Sequence, residues 1–135
     1  MKQITQDWLE AAGLDIESIG YLLQNERLTG HVAFHSQQAI EKSLKALIEE
    51  KGERIPRIHS LSKLFDLCST FLDFQVDETL VIALDSLYIE LRYPGEFGLL
   101  PEGKPSQKQA HLFYDFANDI YKIVIYHLQN NKINP

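Results

Sequence analysis

The fold is decided by residues 30–51, GHVAFHSQQAIEKSLKALIEEK, in which Ala33, Gln37, Ile40, Leu44 and Leu47 recur at alternating steps of four and three. That spacing lines them along one stripe of an α-helix, so the segment reads as an amphipathic helix with a single amide, Gln37, set into its apolar side. Lys51 and Gly52 add a basic last turn and a residue suited to a left-handed C-terminal cap. A buried amide needs hydrogen-bond partners, so Gln37 is expected in a polar network or an interface.

The same period extends outward. Upstream, Trp8, Ala12, Ile16, Ile19 and Leu23 share a stripe that predicts a helix over residues 5–25, with Thr5 as its N-cap and Thr29 opening the next helix. Downstream, Pro56 biases Ile55 away from helical angles, and Ser60 is placed to cap a short third helix running to Thr70, with Leu61, Leu64, Phe65 and Cys68 inward. Asp77 is the expected cap of a fourth helix through Tyr93, whose stripe is Leu80, Leu84, Leu87 and Leu91. Pro94 and Gly95 stop it, and the stretch to Pro105 reads as an irregular loop. Ser106 then opens a last helix to Leu128, with Phe113, Ala117, Ile120 and Val124 on one face and Tyr114, Tyr121 and Leu128 on a neighbouring one. No strand-period run competes. The expected fold is all-α: an antiparallel up-and-down bundle of four to five helices forming one domain over residues 1–135.

Length and composition agree. A chain of 135 residues, 44% apolar, is long enough to bury roughly two-thirds of its unfolded surface around one core. The single cysteine, Cys68, excludes an internal disulfide framework and a zinc finger. The opening MKQITQDWLEAAG lacks the pattern of a secretory signal, and no run of about eighteen apolar residues occurs, so a cytoplasmic protein without a membrane partner is expected. Against 13 Lys and Arg stand 19 Asp and Glu, a net charge of −6 that argues against coating nucleic acid by charge alone. The charge is unevenly spread, however. Residues 42–63 hold six bases and three acids, whereas 64–103 hold eight acids and one base, Arg92.

Walker, GxGxxG, HExxH, GxSxG and EF-hand signatures are missing, so no cofactor is expected. His31 and His35 lie four apart, a metal-ligand spacing, but no second pair completes a site and no metal is expected. With Gln38, Lys42 and Lys45 these histidines make a polar, basic seam, read either as the solvent side of the helix or as a face for phosphate or a partner subunit. A second constellation is Asp85, Tyr88 and Arg92, one face of the fourth helix, where Arg92 either neutralises Asp85, caps the helix end or grips phosphate.

Three runs in order, Val32–Leu47, Arg57-Ile58-His59-Ser60-Leu61 and Leu91-Arg92-Tyr93-Pro94-Gly95, resemble the HEPN domain family, as does the opening Trp8-Leu9-Glu10-Ala11-Ala12 with Asp15. The resemblance spans nearly the whole chain. It implies a helical bundle that pairs as a homodimer, found beside minimal nucleotidyltransferases in two-component, often toxin–antitoxin, modules, with other branches acting as metal-independent ribonucleases. In those ribonucleases the resemblance implies an Arg followed after four to six residues by a His; the Arg position is matched by Arg92, but Tyr93 to Leu99 contain no histidine. Arg54 and His59 have the spacing in the wrong place, while His59 matches a histidine that precedes the third helix. The expected function is therefore a catalytically weak or inactive nucleotide- or RNA-binding component, with a cleft lined by Gln37, Gln38, Lys42, His59, Arg92 and Tyr93. The alternatives are an endoribonuclease toxin using Arg92 and His59, and a pure assembly partner. One face of the last helix, together with Gln37, is expected to pack against a second copy.

Overall fold

A computed structural model describes residues 1–92 and 104–130, with backbone alone for 90–92. Five α-helices follow in order: α1 (Gln3–Leu22), α2 (Thr29–Glu50), α3 (Leu61–Cys68), α4 (Glu78–Arg92) and α5 (Gln107–Asn130), with a 3₁₀ turn over Glu26–Leu28 before α2. Among the described residues there is no strand. The core runs through Leu9, Ala12, Ile40, Leu44, Leu47, Leu64, Leu84, Phe113, Ile120 and Val124, which are all buried. No described helix is long and apolar enough to cross a membrane.

The ends of the helices are set by local chemistry. The Ser60 hydroxyl accepts from the Lys63 N–H at the start of α3, and the Asp77 carboxylate accepts from the Thr79 and Leu80 N–H groups at the start of α4. At α5, Ser106 Oγ accepts from the Gln109 N–H while Gln109 Oε1 accepts from the Ser106 N–H, a reciprocal capping box. Gly52 takes φ +76°, closing α2 in the left-handed conformation expected of it.

Thr5 is a correction. Lys2, not Thr5, stands at the α1 N-cap, and Thr5 is buried inside the helix, where its hydroxyl donates to Glu50 Oε1 at 2.9 Å. The sequence window missed this because the partner lies 45 residues away at the end of α2. Similarly, the 3₁₀ turn that leads into α2 is held by Asn25, whose side chain accepts from the Arg27 N–H.

Helix α2 is the axle of the bundle, in contact with α1, α3, α4 and α5. Its polar seam is therefore only partly solvated. Lys45 is buried, Lys42, Gln38 and His35 are partly buried, and of that seam only His31 is exposed. A helix packed on several sides has no room for the wide solvated face that periodicity alone suggested, and polar residues on it must be paired within the bundle.

Helix α5 packs on both of the faces read from its sequence. Tyr114 and Tyr121 are partly buried within the chain, and Tyr121 packs over Gly13 of α1, where an added Cβ would meet the tyrosine hydroxyl at 2.7 Å. Gln37 is fully buried inside its own chain, where it sits in a polar network. The exposed large apolar residues lie elsewhere: Leu112, Ile123 and Tyr126 on α5, and Ile82 and Ile89 on α4.

Candidate functional site

Two polar clusters branch from α2. In the first, Glu41 is buried, and three donors converge on its carboxylate: Gln37 Nε2 at 3.0 Å, Lys45 Nζ at 3.0 Å and His59 Nδ1 at 3.1 Å. Gln37, Glu41 and Lys45 are spaced by four residues, so one helix face stacks amide, acid and ammonium in sequence. Gln37 Nε2 also donates to the His59 backbone carbonyl at 2.9 Å, and Gln38 Nε2 donates to Gln37 Oε1 at 2.7 Å. The amide thus fixes both the backbone and the surroundings of His59. The Lys45 ammonium stands 5.9 Å from the centroid of the Trp8 ring of α1.

In the second cluster, the Asp15 carboxylate of α1 receives His35 Nδ1 and Lys42 Nζ, both at 2.8 Å. These contacts join α1 to α2 and leave Lys42 paired rather than presented to a ligand. His31 is exposed, and its neighbour His35 is committed to Asp15. No group of three His, Cys, Asp or Glu among the described residues is placed to hold a metal ion.

His59 is where the first cluster reaches the surface. Its side chain is 48% exposed, against 7% for Glu41. The imidazole sits with its ring centroid 5.5 Å from that of Tyr88, which stacks on Phe34 at 5.8 Å, so α4 contributes the wall beside it. Arg54 and Arg57 are exposed on the same α2–α3 segment, and Lys63 is exposed in the first turn of α3. The result is an oriented imidazole next to a basic stretch.

Asp85 reaches from α4 to the start of α3. Its Oδ1 accepts from the Leu61 N–H at 2.8 Å and its Oδ2 from the Ser62 N–H at 3.2 Å, so α4 caps the N-terminus of α3. Arg92 is the last residue of α4, one turn beyond Tyr88; its side chain, and all of Tyr93, lie outside the described residues. Of the residues singled out from the sequence, Gln37, Gln38 and His59 are brought together, and Lys42 is placed in the other cluster. Glu41, the acid at the centre, was not singled out. Its signal was the i,i+4 series 37, 41, 45, which points to one continuous network once α2 is known to be enclosed.

A separate pocket of about 490 Å3 between α3 and α4 has Phe65, Phe74 and Val81 on its wall with Asp66, Asp73 and Glu78. It contains none of the candidate site residues Gln37, Gln38, Lys42 and His59.

The HEPN domain model matches residues 5–130, which takes in all five helices and both clusters. The chain belongs to the HEPN domain family. No curated protein matches this HEPN chain. Among solved structures, the crystal structure of TT1696 from Thermus thermophilus is similar to it, at 29% identity and a TM-score of 0.72, over 93% of this chain and 99% of that one. The likeness covers essentially the whole bundle.

Proposed function

We propose that this HEPN protein is a homodimeric binding component of a two-component, toxin–antitoxin-like module with a minimal nucleotidyltransferase, and that it takes the phosphate of a nucleotide or of RNA at its His59 edge with little or no cleavage. The observation that carries the reading is His59 itself. Its Nδ1 is tied to buried Glu41 while nearly half of the side chain faces solvent, next to exposed Arg54 and Arg57. An imidazole and two guanidiniums on one short segment are suited to phosphate oxygens, and a locally basic stretch offsets the acidity of the chain as a whole. Gln37 and Gln38 support this edge from behind. Arg92 and Tyr93, one turn or slightly more beyond Tyr88 in sequence, are proposed to complete the cleft. Lys42 contributes by holding α1 to α2 through Asp15.

Weak or absent cleavage follows from the lack of any histidine in Tyr93 to Leu99. One observation favours the ribonuclease reading in its place: a carboxylate on Nδ1 is also how a general base is oriented. The exposed Ile82 and Ile89, two turns apart on α4, support pairing of two copies along that helix, which would bring the two Arg92 positions into one groove.

The test is incubation of the purified protein with single-stranded RNA in the presence of a chelator, comparing it with His59→Ala and Arg92→Ala. Binding without cleavage supports the proposal. Cleavage abolished by both changes replaces it with the endoribonuclease, and no affinity at low salt replaces it with the assembly partner.

A further inference from the structure

The cavity between α3 and α4 has an apolar wall of Phe65, Phe74 and Val81, with the two phenyl rings near perpendicular and their centroids 5.4 Å apart. Phe65 and Val81 belong to the core, and Phe74 is half-buried beside them. Around this wall stand Asp66, Asp73 and Glu78, all exposed, and among the described residues no cation or hydrogen-bond donor meets any of the three carboxylates. The volume, about 490 Å3, is that of a small-molecule site, roughly 300–1,000 Å3. A hollow of about 430 Å3 near the end of α5 also has an apolar wall, Ile123 and Tyr126, but carries Lys122 and His127. Charge is what sets the α3–α4 cavity apart.

The carboxylates call for positive charge from outside the chain, yet they do not converge: no three acidic groups among the described residues are placed to hold a metal ion. A compact divalent cation needs its oxygens gathered around one point, so acids spread about a cavity match a ligand whose charges are themselves spread apart. The apolar wall between them favours methylene groups, which leave water on contact with it, and an ammonium against a phenyl face is attracted further. Helix stability does not account for Asp66, because it stands in the last turn of α3, where the helix dipole disfavours an acid. We propose that the α3–α4 cavity binds an aliphatic polyamine, with its ammoniums on Asp66, Asp73 and Glu78 and its methylene spacers along Phe65, Phe74 and Val81. The site is independent of the His59 edge and takes a ligand of the opposite charge.

Isothermal titration calorimetry of the full chain at low salt, with spermidine as the probe, tests the site. Spermidine is expected to bind once per chain. Hexaamminecobalt(III), which carries the same charge without methylene groups, is expected to bind roughly tenfold more weakly, the scale of two buried methylenes. Equal affinity for the two overturns the proposal, because charge alone would then account for the binding, and so does no binding of spermidine. This comparison needs no variant. Asp66→Asn/Asp73→Asn is expected to weaken spermidine binding by about five- to tenfold, the scale of two partly solvated ion pairs. Glu10→Gln/Glu17→Gln removes the same two charges from exposed positions of α1 and is expected to leave the affinity unchanged. An equal loss in both double variants, each first shown by circular dichroism to be folded, overturns the assignment to this cavity. None of these outcomes bears on phosphate at His59, which is tested by RNA alone.

Discussion

Glu41 and Lys45, one turn apart on α2, form an ion pair of 3.0 Å in which each side chain is only 7% exposed. Burying two charges is costly, and the pair is tolerated because Gln37 and His59 also donate to the same carboxylate. The expected consequence is an asymmetry. Glu41→Leu strands the Lys45 ammonium and removes the acceptor for two more donors, and is expected to cost about 3–5 kcal/mol. Lys45→Met leaves Glu41 with two donors and is expected to cost less, and the double variant should recover much of the loss of Glu41→Leu. Urea unfolding followed by circular dichroism measures all three; strictly additive losses would show that the pair is not coupled.

Two glycines of α1 separate helix propensity from packing. Gly20 has nothing within 4 Å of an added Cβ, so Gly20→Ala is expected to stabilise by about 0.5–1 kcal/mol. Gly13→Ala gains the same propensity but pushes against the Tyr121 hydroxyl at 2.7 Å, and is expected to lose most or all of that benefit. Adding Tyr121→Phe removes the obstructing atom and should restore the gain. Thermal midpoints of the four proteins check this.

Thr5 and Glu50 predict an acid-dependent contribution. Burial pushes the Glu50 carboxyl up, but the Lys2 N–H at 2.9 Å, the Thr5 hydroxyl at 2.9 Å and nearby positive charge outweigh it and hold it below the usual carboxylate range. A carboxyl depressed in the folded state stabilises at neutral pH, and this contribution is lost as the pH falls from the ordinary carboxylate value, 4.5, through the lower folded one. Thr5→Val is therefore expected to reduce stability at pH 7 by more than it does in acid. A loss that is independent of pH would show that the hydroxyl acts through packing alone.

Cys68 is buried, its thiol lies 3.6 Å from the Leu44 carbonyl, and burial pushes its pKa up to about 12. Since the thiolate is the reactive form, the native protein should resist thiol-labelling reagents at pH 7 and react promptly in denaturant. Labelling at the rate of a free thiol would contradict its placement.

The helices were legible because each apolar stripe keeps its period over several turns, and because Ser60, Asp77 and Ser106 announce their helices locally. Thr5 was misplaced, and the seam from His31 to Lys45 was left between a solvent side and a face for phosphate or a partner, for one shared reason. Whether a polar residue caps, faces water or pairs internally depends on partners 18 to 45 residues away: Glu50 for Thr5, Asp15 for His35 and Lys42, and His59 for Glu41. Gln37 was readable as an amide needing partners, since its place on the apolar stripe is a local fact. Asp85 was not, because its partners are the backbone N–H groups of another helix.

The central claim is that phosphate is held at the His59 edge. The most direct measurement is the affinity for single-stranded RNA over a series of salt concentrations, for the unaltered protein, Arg54→Ala/Arg57→Ala and His59→Ala, each first shown to be folded. The account predicts binding at low salt that weakens with salt, a slope of log K on log salt smaller by about 1.4 in the double arginine variant, and weaker binding in His59→Ala. Unchanged affinity and slope in both variants, or no binding of the unaltered protein at the lowest salt, would contradict it.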